Sequence, residues 1–402
     1  MRGFARRSTV EQACDWIDEQ VAPLSAESLK SVDAVGRVLA ADVISPVNVP
    51  AFRRAMMDGF AVQAEDTLGA STYNRLPLTI VGQSMPASPA NVRLQRGQAV
   101  RIMTGAPMPA DADAVLPVET VEISGQQVEA LDAVAVGKHV GEVGEDIAAD
   151  SVVLNQGRRL RPQDVGILAA IGVPQVSVQR AVRVRIVVTG DELLPPGSLP
   201  DGFQIVDSNS PMLRGLVARD GGLITSSEIV VDQPDAILSA MRDDVDVVLV
   251  SGGSSVGQED HAPRLLDEYG ELAIHGIAMR PSSPSGMGRM DDRLVFLLPG
   301  NPVSCLCAYD FFAGRAIRAL AGLSTDWPYR RQRLRLARKL VSVVGRVDYA
   351  RVGVVQDRVE PIAVSGASLL SSTTRAAGFV VVPADSEGYP PDAEVEVLFY
   401  DR

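Results

Sequence analysis

Apolar runs and amphipathic runs alternate through residues 181–322, and that alternation restricts the segment to a doubly wound α/β sheet. Residues 184–188 read as a buried strand and 209–219 as a helix stopped by Gly221-Gly222. Residues 224–231 read as a strand, 234–241 as a helix and 245–250 as a strand. Then come a helix over 260–269, a strand over 294–298 and a long helix over 302–321. Three of these strands run directly into loops of small residues. The loops are Thr189-Gly190-Asp191-Glu192, Ser251-Gly252-Gly253-Ser254-Ser255-Val256-Gly257 and Pro299-Gly300-Asn301-Pro302. An open parallel sheet takes its ligand outside the carboxyl ends of its strands, where helix N-termini gather. Three such loops therefore point to one site, for a phosphorylated ligand.

The rest of the chain divides around this segment. Residues 8–45 read as helical, with Ser8 and Thr9 able to cap and Val10, Ala13, Cys14, Ile17 and Val21 at helical spacing. Residues 46–142 are punctuated by Pro and Gly between short apolar runs, which suggests a small β-rich domain. A helix over 162–171, with Pro162 at its first turn and Gly172 at its stop, is expected to pack on the N-terminal one. The domain plan is thus a helical/extended unit of 1–45 and 143–180, an inserted β-rich domain of 46–142 and an α/β domain of 181–326. Residues 327–402 open with a basic run at Arg330, Arg331, Arg333 and Arg335. They continue with strand-like stretches at 341–344, 352–355, 379–382 and 395–399, which read as a small β barrel.

Composition excludes several classes. A formal charge of −12 disfavours nucleic acid and anionic membrane surfaces, so an anionic ligand needs a local positive pocket. No stretch reaches the roughly 18 apolar residues of a membrane span, and the N-terminus lacks an apolar signal core. The three cysteines suit a reducing cytoplasm and read as buried or inert thiols, not as a metal site. His139, His261 and His275 lie apart in sequence and form no zinc motif.

The loops carry distinct chemistry. Glycines at 252, 253 and 257 let backbone N–H groups approach an anion, and Ser251 and Ser255 add hydroxyl donors. Asp260 follows, either as a helix N-cap or as a carboxylate beside the site. Asn301 and Pro302 open a helix whose free N–H groups favour an anion. Asp191 and Glu192 close the first strand, with Asp207 and Asp232 at neighbouring loop ends. Carboxylates near a phosphate site mean magnesium or a base for water. Outside this domain, Met57-Asp58-Gly59-Phe60-Ala61-Val62, Arg101 to Pro107 and Gly144-Glu145-Asp146-Ile147 are more specified than turns require.

In this order the segments resemble the MoeA and gephyrin E-domain family of molybdopterin molybdenumtransferases. The resemblance runs from about residue 8 to the C-terminus and rests on MDGFAV (57–62), RIMTGAPMP (101–109), GEDI (144–147), TGDEL (189–193), SGGSSVG with Asp260, and LPGNPVS (298–304). It implies a homodimer with a composite active site, and an α/β domain similar to the molybdopterin adenylyltransferase fold. The implied reaction inserts molybdate into adenylylated molybdopterin, releases AMP and involves Mg2+. Carried over by motif, Glu192, Asp232 and Asp260 are the acidic residues near the phosphoanhydride, with Glu192 and Asp260 on the metal. Asp58, Thr104 and Asp146, with Glu119 nearby, are implied to come from the partner subunit. Ser251, Gly252, Gly253, Ser255, Gly257, Arg280, Pro299, Gly300, Asn301 and Pro302 are implied to hold pterin and phosphate, with Arg351 and Ser371 toward the molybdate. Molybdopterin adenylyltransferase and molybdoenzyme maturation proteins are the implied protein partners.

The chain also departs from that pattern. The family carries Lys-Pro-Gly-Lys-Pro where this chain has Arg280-Pro281-Ser282-Ser283-Pro284, so one positive charge is kept and one is lost at Ser283. Gly141-Glu142-Val143 stands where many relatives have a basic run, and Arg54-Ala55-Met56 where they have Asn-Ser-Ala. The competing expectation is therefore a diverged member that binds or assembles the cofactor, or that prefers another oxyanion.

Overall fold

The computed structural model describes residues 7–253, 260–363 and 366–400. It divides into two compact units, one of residues 28–35 and 41–177, the other of 1–27, 36–40 and 178–402. The first helix, α1 (Val10–Gln20), is shorter than the sequence suggests. Thr9 and Gln12 form a reciprocal capping box at its start. Pro23 prevents its continuation, and Ala26–Lys30 is extended. Its buried residues Ala13 and Ile17 join the core of the larger unit, beside Val182 and Ile317. This helix thus packs on the α/β core of its own unit; within the smaller unit the helix after Pro162 packs on the turn at Ser31–Asp33.

The smaller unit is built on six strands: β1 (Gly59–Val62), β2 (Leu76–Ser84), β3 (Gln98–Ile102), β4 (Ala114–Pro117), β5 (Val121–Ser124) and β6 (Gln127–Ala130). Their order is β4-β1-β3-β2-β6-β5, with only β2 and β3 parallel. Successive residues of β1 point to opposite faces, so Phe60 and Val62 enter one core while Ala61 enters another.

Helix α2 (Pro162–Ala170) lies near the end of this unit's chain. Its Asp164 is 1% exposed and accepts from Arg158 (Nε 3.0 Å, Nη2 2.9 Å) and from the backbone and guanidinium of Arg161. Those donors hold its carboxyl well below the ordinary aspartate range. A depressed folded-state value means the stabilisation exists above the unfolded value near about 4 and fades as pH falls. Asp164→Asn is expected to cost roughly 1.5–3 kcal/mol at neutral pH. Urea unfolding of both proteins should show the gap narrowing progressively below pH of about 4.

The larger unit follows: β7 (Val182–Thr189), α3 (Asn209–Arg219), β8 (Gly222–Val230), α4 (Pro234–Met241), β9 (Val247–Ser251), α5 (His261–Tyr269), β10 (Glu271–His275), β11 (Gly286–Met290), β12 (Arg293–Leu298), α6 (Pro302–Ala308) and α7 (Gly314–Leu320). The sheet order is β8-β7-β9-β12-β11-β10. The first four strands are parallel and the last two antiparallel. The antiparallel pair has no clear signature in sequence. β11 reads Gly-Met-Gly-Arg-Met, and Gly288 is there for space, since a Cβ would lie 1.8 Å from the Glu271 carbonyl oxygen. The expected single helix over 302–321 is instead α6, a π-helical turn at Tyr309–Ala313 and α7. At that turn the Asp310 carbonyl accepts from Trp327 Nε1 at 2.8 Å.

The last strands are β13 (Arg330–Leu336), β14 (Val347–Val355), β15 (Arg358–Ala363), β16 (Gly378–Val382) and β17 (Glu394–Phe399), with helix α8 (Ser371–Thr374) before β16. Pairing runs β14-β15-β13-β17-β16 and returns to β14. The basic run is itself strand β13, its arginines exposed or nearly so while Leu336 is buried. Among the described residues no helix is long and apolar enough to cross a membrane.

Candidate functional site

Strands β8, β7, β9 and β12 all end on one edge of the sheet. From β7 the chain passes through α3 to β8 on one side; from β8 it passes through α4 to β9 on the other. The crevice between β7 and β9 is therefore the topological switch point, where such sheets bind ligands. Thr189 and Ser251 are the residues that end these two strands.

The loops there are tied together tightly. Gly252 has φ +104°, and a Cβ on it would lie 2.4 Å from the Thr189 carbonyl oxygen. Only glycine fits that approach. The Gly252 N–H donates to the Leu298 carbonyl at 3.1 Å, which joins the β9 and β12 ends. Asn209, 5% exposed at the start of α3, donates through Nδ2 to Ser251 Oγ at 2.9 Å and to the Gly300 carbonyl at 2.8 Å. Sequence reasoning passed over Asn209; the polar run Asp207-Ser208-Asn209-Ser210 before a helix was its only signal.

Three buried oxygens at this edge have no hydrogen-bond partner among the described residues: Thr189 Oγ1, Asn209 Oδ1 and Asp232 Oδ1. Burial pushes the Asp232 carboxyl above its ordinary range, against the nearby His261. Asp191, Asp260 and Glu192 push it the same way. Asp191 Oδ1 accepts from the Asp232 N–H at 3.1 Å, and Glu192 is exposed. Asp260 stands at the N-cap position of α5 without a side-chain capping bond. Asp207 belongs elsewhere. It is buried and accepts from the N–H groups of Asn209 and Ser210 and from the Ser210 hydroxyl, so it anchors α3 and does not join the acidic set. Ser255 and Gly257 lie outside the described residues. Among the described residues no three His, Cys, Asp or Glu side chains form a ready-made metal cage.

Pro302 opens α6 as expected, while the Asn301 side chain, exposed, makes no capping bond. Cys305 and Cys307 are buried on α6, and burial pushes the Cys305 thiol up to about 12. Beside Pro299 and Asn301 lies a cavity of about 330 Å³, lined also by Arg280, Ser283, Ser304 and Arg346. Arg351, expected toward that region, is fully buried on β14 opposite Phe379 and does not line the cavity. Its charge opposes the rise that burial imposes on the Cys307 thiol. Ser371 is exposed at the start of α8 and is likewise absent from the cavity wall.

Asp58, Thr104, Glu119 and Asp146 belong to the smaller unit. Asp58 precedes β1, Thr104 follows β3 and Glu119 follows β4, so antiparallel pairing collects the first three at one sheet edge. Asp58 Oδ1 accepts from the Thr104 N–H at 2.7 Å and from its hydroxyl at 2.8 Å, which lowers the Asp58 carboxyl. The Val118 N–H donates to the Asp58 carbonyl at 3.1 Å, which brings Glu119 alongside. Asp146 is held separately, its N–H bonded to the Val49 carbonyl at 3.1 Å. All four residues are exposed.

Comparison with known proteins bears on this arrangement. Family models match in three consecutive stretches: the MoeA N-terminal region (domain I and II) over residues 8–172, a probable molybdopterin binding domain over 185–319 and the MoeA C-terminal region (domain IV) over 333–400. The chain is similar to a putative molybdopterin biosynthesis protein of Methanocaldococcus jannaschii, 31% identical over 98% of this chain and 96% of the relative. It is 36% identical to molybdopterin molybdenumtransferase 2 of Mycobacterium tuberculosis over 79% of this chain and 80% of that one. Among solved structures, the MoeA protein of Pyrococcus horikoshii matches with a TM-score of 0.84 at 30% identity, over 99% of this chain and 100% of that one.

Proposed function

This chain belongs to the MoeA family, and on that premise we propose that it is a molybdopterin molybdenumtransferase acting in molybdenum cofactor biosynthesis. The reaction we assign inserts molybdate into adenylylated molybdopterin and releases AMP. One observation carries this reading above the others: glycine-lined strand ends, pinned by Asn209, meet the orphaned buried oxygens of Thr189 and Asp232 at the sheet's switch point. A phosphorylated ligand seated there would be met by the Gly253 and Gly300 backbone and by the hydroxyl of Thr189, since the Gly252 N–H is already bonded to the Leu298 carbonyl. Asp232, whose carboxyl burial raises above its ordinary range, would orient, or accept a proton from, the water that cleaves the phosphoanhydride.

The donor set also fits a hard cation, because it is all oxygen and one buried carboxylate oxygen lacks a partner. Glu192 and Asp260 would hold Mg2+, with Asp232 beside them. Magnesium characteristically relies on one or two carboxylates plus substrate phosphates, which suits a pair such as Glu192 and Asp260. Bound there, it would neutralise phosphate charge.

We assign Asp58, Thr104, Glu119 and Asp146 to the active site of a second subunit, which makes the working protein a homodimer. Their exposure in a unit distinct from the α/β sheet supports this. We read the closed circuit of C-terminal strands as a small barrel, and the family's four-part plan as that of this chain. Adenylylated substrate implies an adenylyltransferase as supplier, and free thiols suit a reducing cytoplasm. The diverged binding or assembly role is not favoured, since relatives that match most of the chain carry transferase names.

Purified protein given adenylylated molybdopterin, magnesium and molybdate should release AMP at least about 100-fold faster than the Glu192→Ala/Asp260→Ala variant. Equal AMP release from the two proteins would sink the assignment.

A further inference from the structure

Asp348 is fully buried at the start of β14, and the two-residue strand Met279–Arg280 pairs with that start so that Arg280 faces Asp348 in register. Asp348 Oδ1 accepts from Arg280 Nε at 3.0 Å and lies 3.5 Å from Arg346 Nε. Its Oδ2 accepts from Arg280 Nη2 and from Ser342 Oγ, the latter at 2.7 Å. The buried carboxylate thus hydrogen-bonds Arg280 and ion-pairs with Arg346, whose Nε has no hydrogen-bond partner among the described residues, and both arginines line the cavity of about 330 Å³. Ser283 lines it too, and its buried hydroxyl has no partner among the described residues. Arg7 also faces this cavity. Three guanidinium groups against one carboxylate behind them leave an excess of two positive charges. That excess matches a tetrahedral dianion.

We propose that Asp348 is a positioning residue of an oxyanion pocket, fixing Arg280 and Arg346 on the cavity wall while the Ser283 hydroxyl supplies a neutral donor. The Arg280 guanidinium, locked by the carboxylate on one edge, keeps its remaining N–H groups aimed, while Arg346 is held beside it by charge. Arg346 thereby offsets the cation missing at Ser283. The inference rests on the transferase reading only for the identity of the oxyanion, and binding can be measured apart from catalysis.

The experiment is isothermal titration of the purified full-length protein with sodium molybdate. Asp348→Asn is expected to weaken molybdate binding roughly 10- to 100-fold. In an Arg280→Gln/Arg346→Gln background, adding Asp348→Asn should change binding no further, because Asp348 acts through those side chains. A merely structural role would lower the thermal midpoint and leave that coupling at zero. Ser283→Ala removes only one hydroxyl, so it reads the pocket even if Asp348→Asn fails to fold. It should weaken binding about 3- to 10-fold with an unchanged midpoint. Wild-type affinity in folded Asp348→Asn, an undiminished effect in the double-arginine background, unchanged binding by Ser283→Ala, or no molybdate binding by the wild type would each overturn the proposal. AMP release by the wild type alongside any of these results would leave the enzymatic reading standing. Molybdate binding as described without AMP release would do the reverse.

Discussion

Mixing Asp58→Ala chains with Asp260→Ala chains is expected to restore AMP release that neither variant shows alone. If each active site draws the α/β sheet from one subunit and the Asp58 edge from the other, a heterodimer has one doubly damaged site and one intact site. Random assortment makes half the dimers heterodimers, so activity should recover to roughly a quarter of wild type. Separately, each variant should lose at least about 100-fold, the scale on which removing one preorganised electrostatic group acts. Co-expression with two affinity tags, followed by AMP release from the doubly tagged heterodimers, measures this directly and should read roughly half of wild type. Heterodimers as inactive as the parents would place both residues in one chain's site and remove the composite assignment. The Asp58 carboxylate is exposed, so losing its bonds from the Thr104 N–H and hydroxyl should cost local stability without unfolding the unit, which the thermal midpoint checks.

Gly252→Ala should abolish nearly all activity while leaving the protein folded. The new methyl would lie 2.4 Å from the Thr189 carbonyl oxygen, on backbone at φ +104°, so the loop must move. Gly252 is bonded to the Leu298 carbonyl, and Ser251 and Gly300 share the Asn209 amide. A shift therefore spreads to the β7, β9 and β12 ends together. Displacing reacting groups by about 1 Å can cost on the order of 100-fold in rate, and we expect a fall in kcat of that size or more. Circular dichroism and the thermal midpoint should change little beside the kinetic loss. A variant with wild-type kcat would mean that this loop does not touch the ligand.

Much of the larger unit was legible because its physics is local. Helices Asn209–Arg219 and Pro234–Met241 have the bounds that capping residues, Pro and Gly announce. Parallel strands buried on both faces read as continuous apolar runs, as β9 and β12 do, while β7 is apolar apart from Arg183 and Arg185. Strands β10 and β11 were missed because glycine serves their close approach, which depends on a partner strand far along the chain. Strand β13 was missed because arginines dominate it and only its neighbours make it a strand. The N-terminal helical expectation overran because periodicity alone does not register where Pro23 stops it.

For the candidate site, residue types and loop positions were readable, while partnerships were not. Asp207 and Asp232 look alike in sequence. One satisfies the first N–H groups of α3; the other keeps an oxygen buried and unpartnered. Arg346 and Arg351 are five residues apart in one motif, yet one lines the cavity and the other lies in the core.

The sequence by itself determined the alternating α/β segment, the three glycine-bearing loops at strand ends and the ordered motifs of the family, because these depend on short-range periodicity, turn chemistry and residue identity. Tertiary structure decided that four parallel strands end on one edge and that the winding reverses between β7 and β9. It also decided that Asn209 clamps two loops and that Asp348 holds two arginines beside Ser283. Each of these depends on which distant backbones become neighbours, and burial then sets whether a carboxylate is a cap, an anchor or an open ligand.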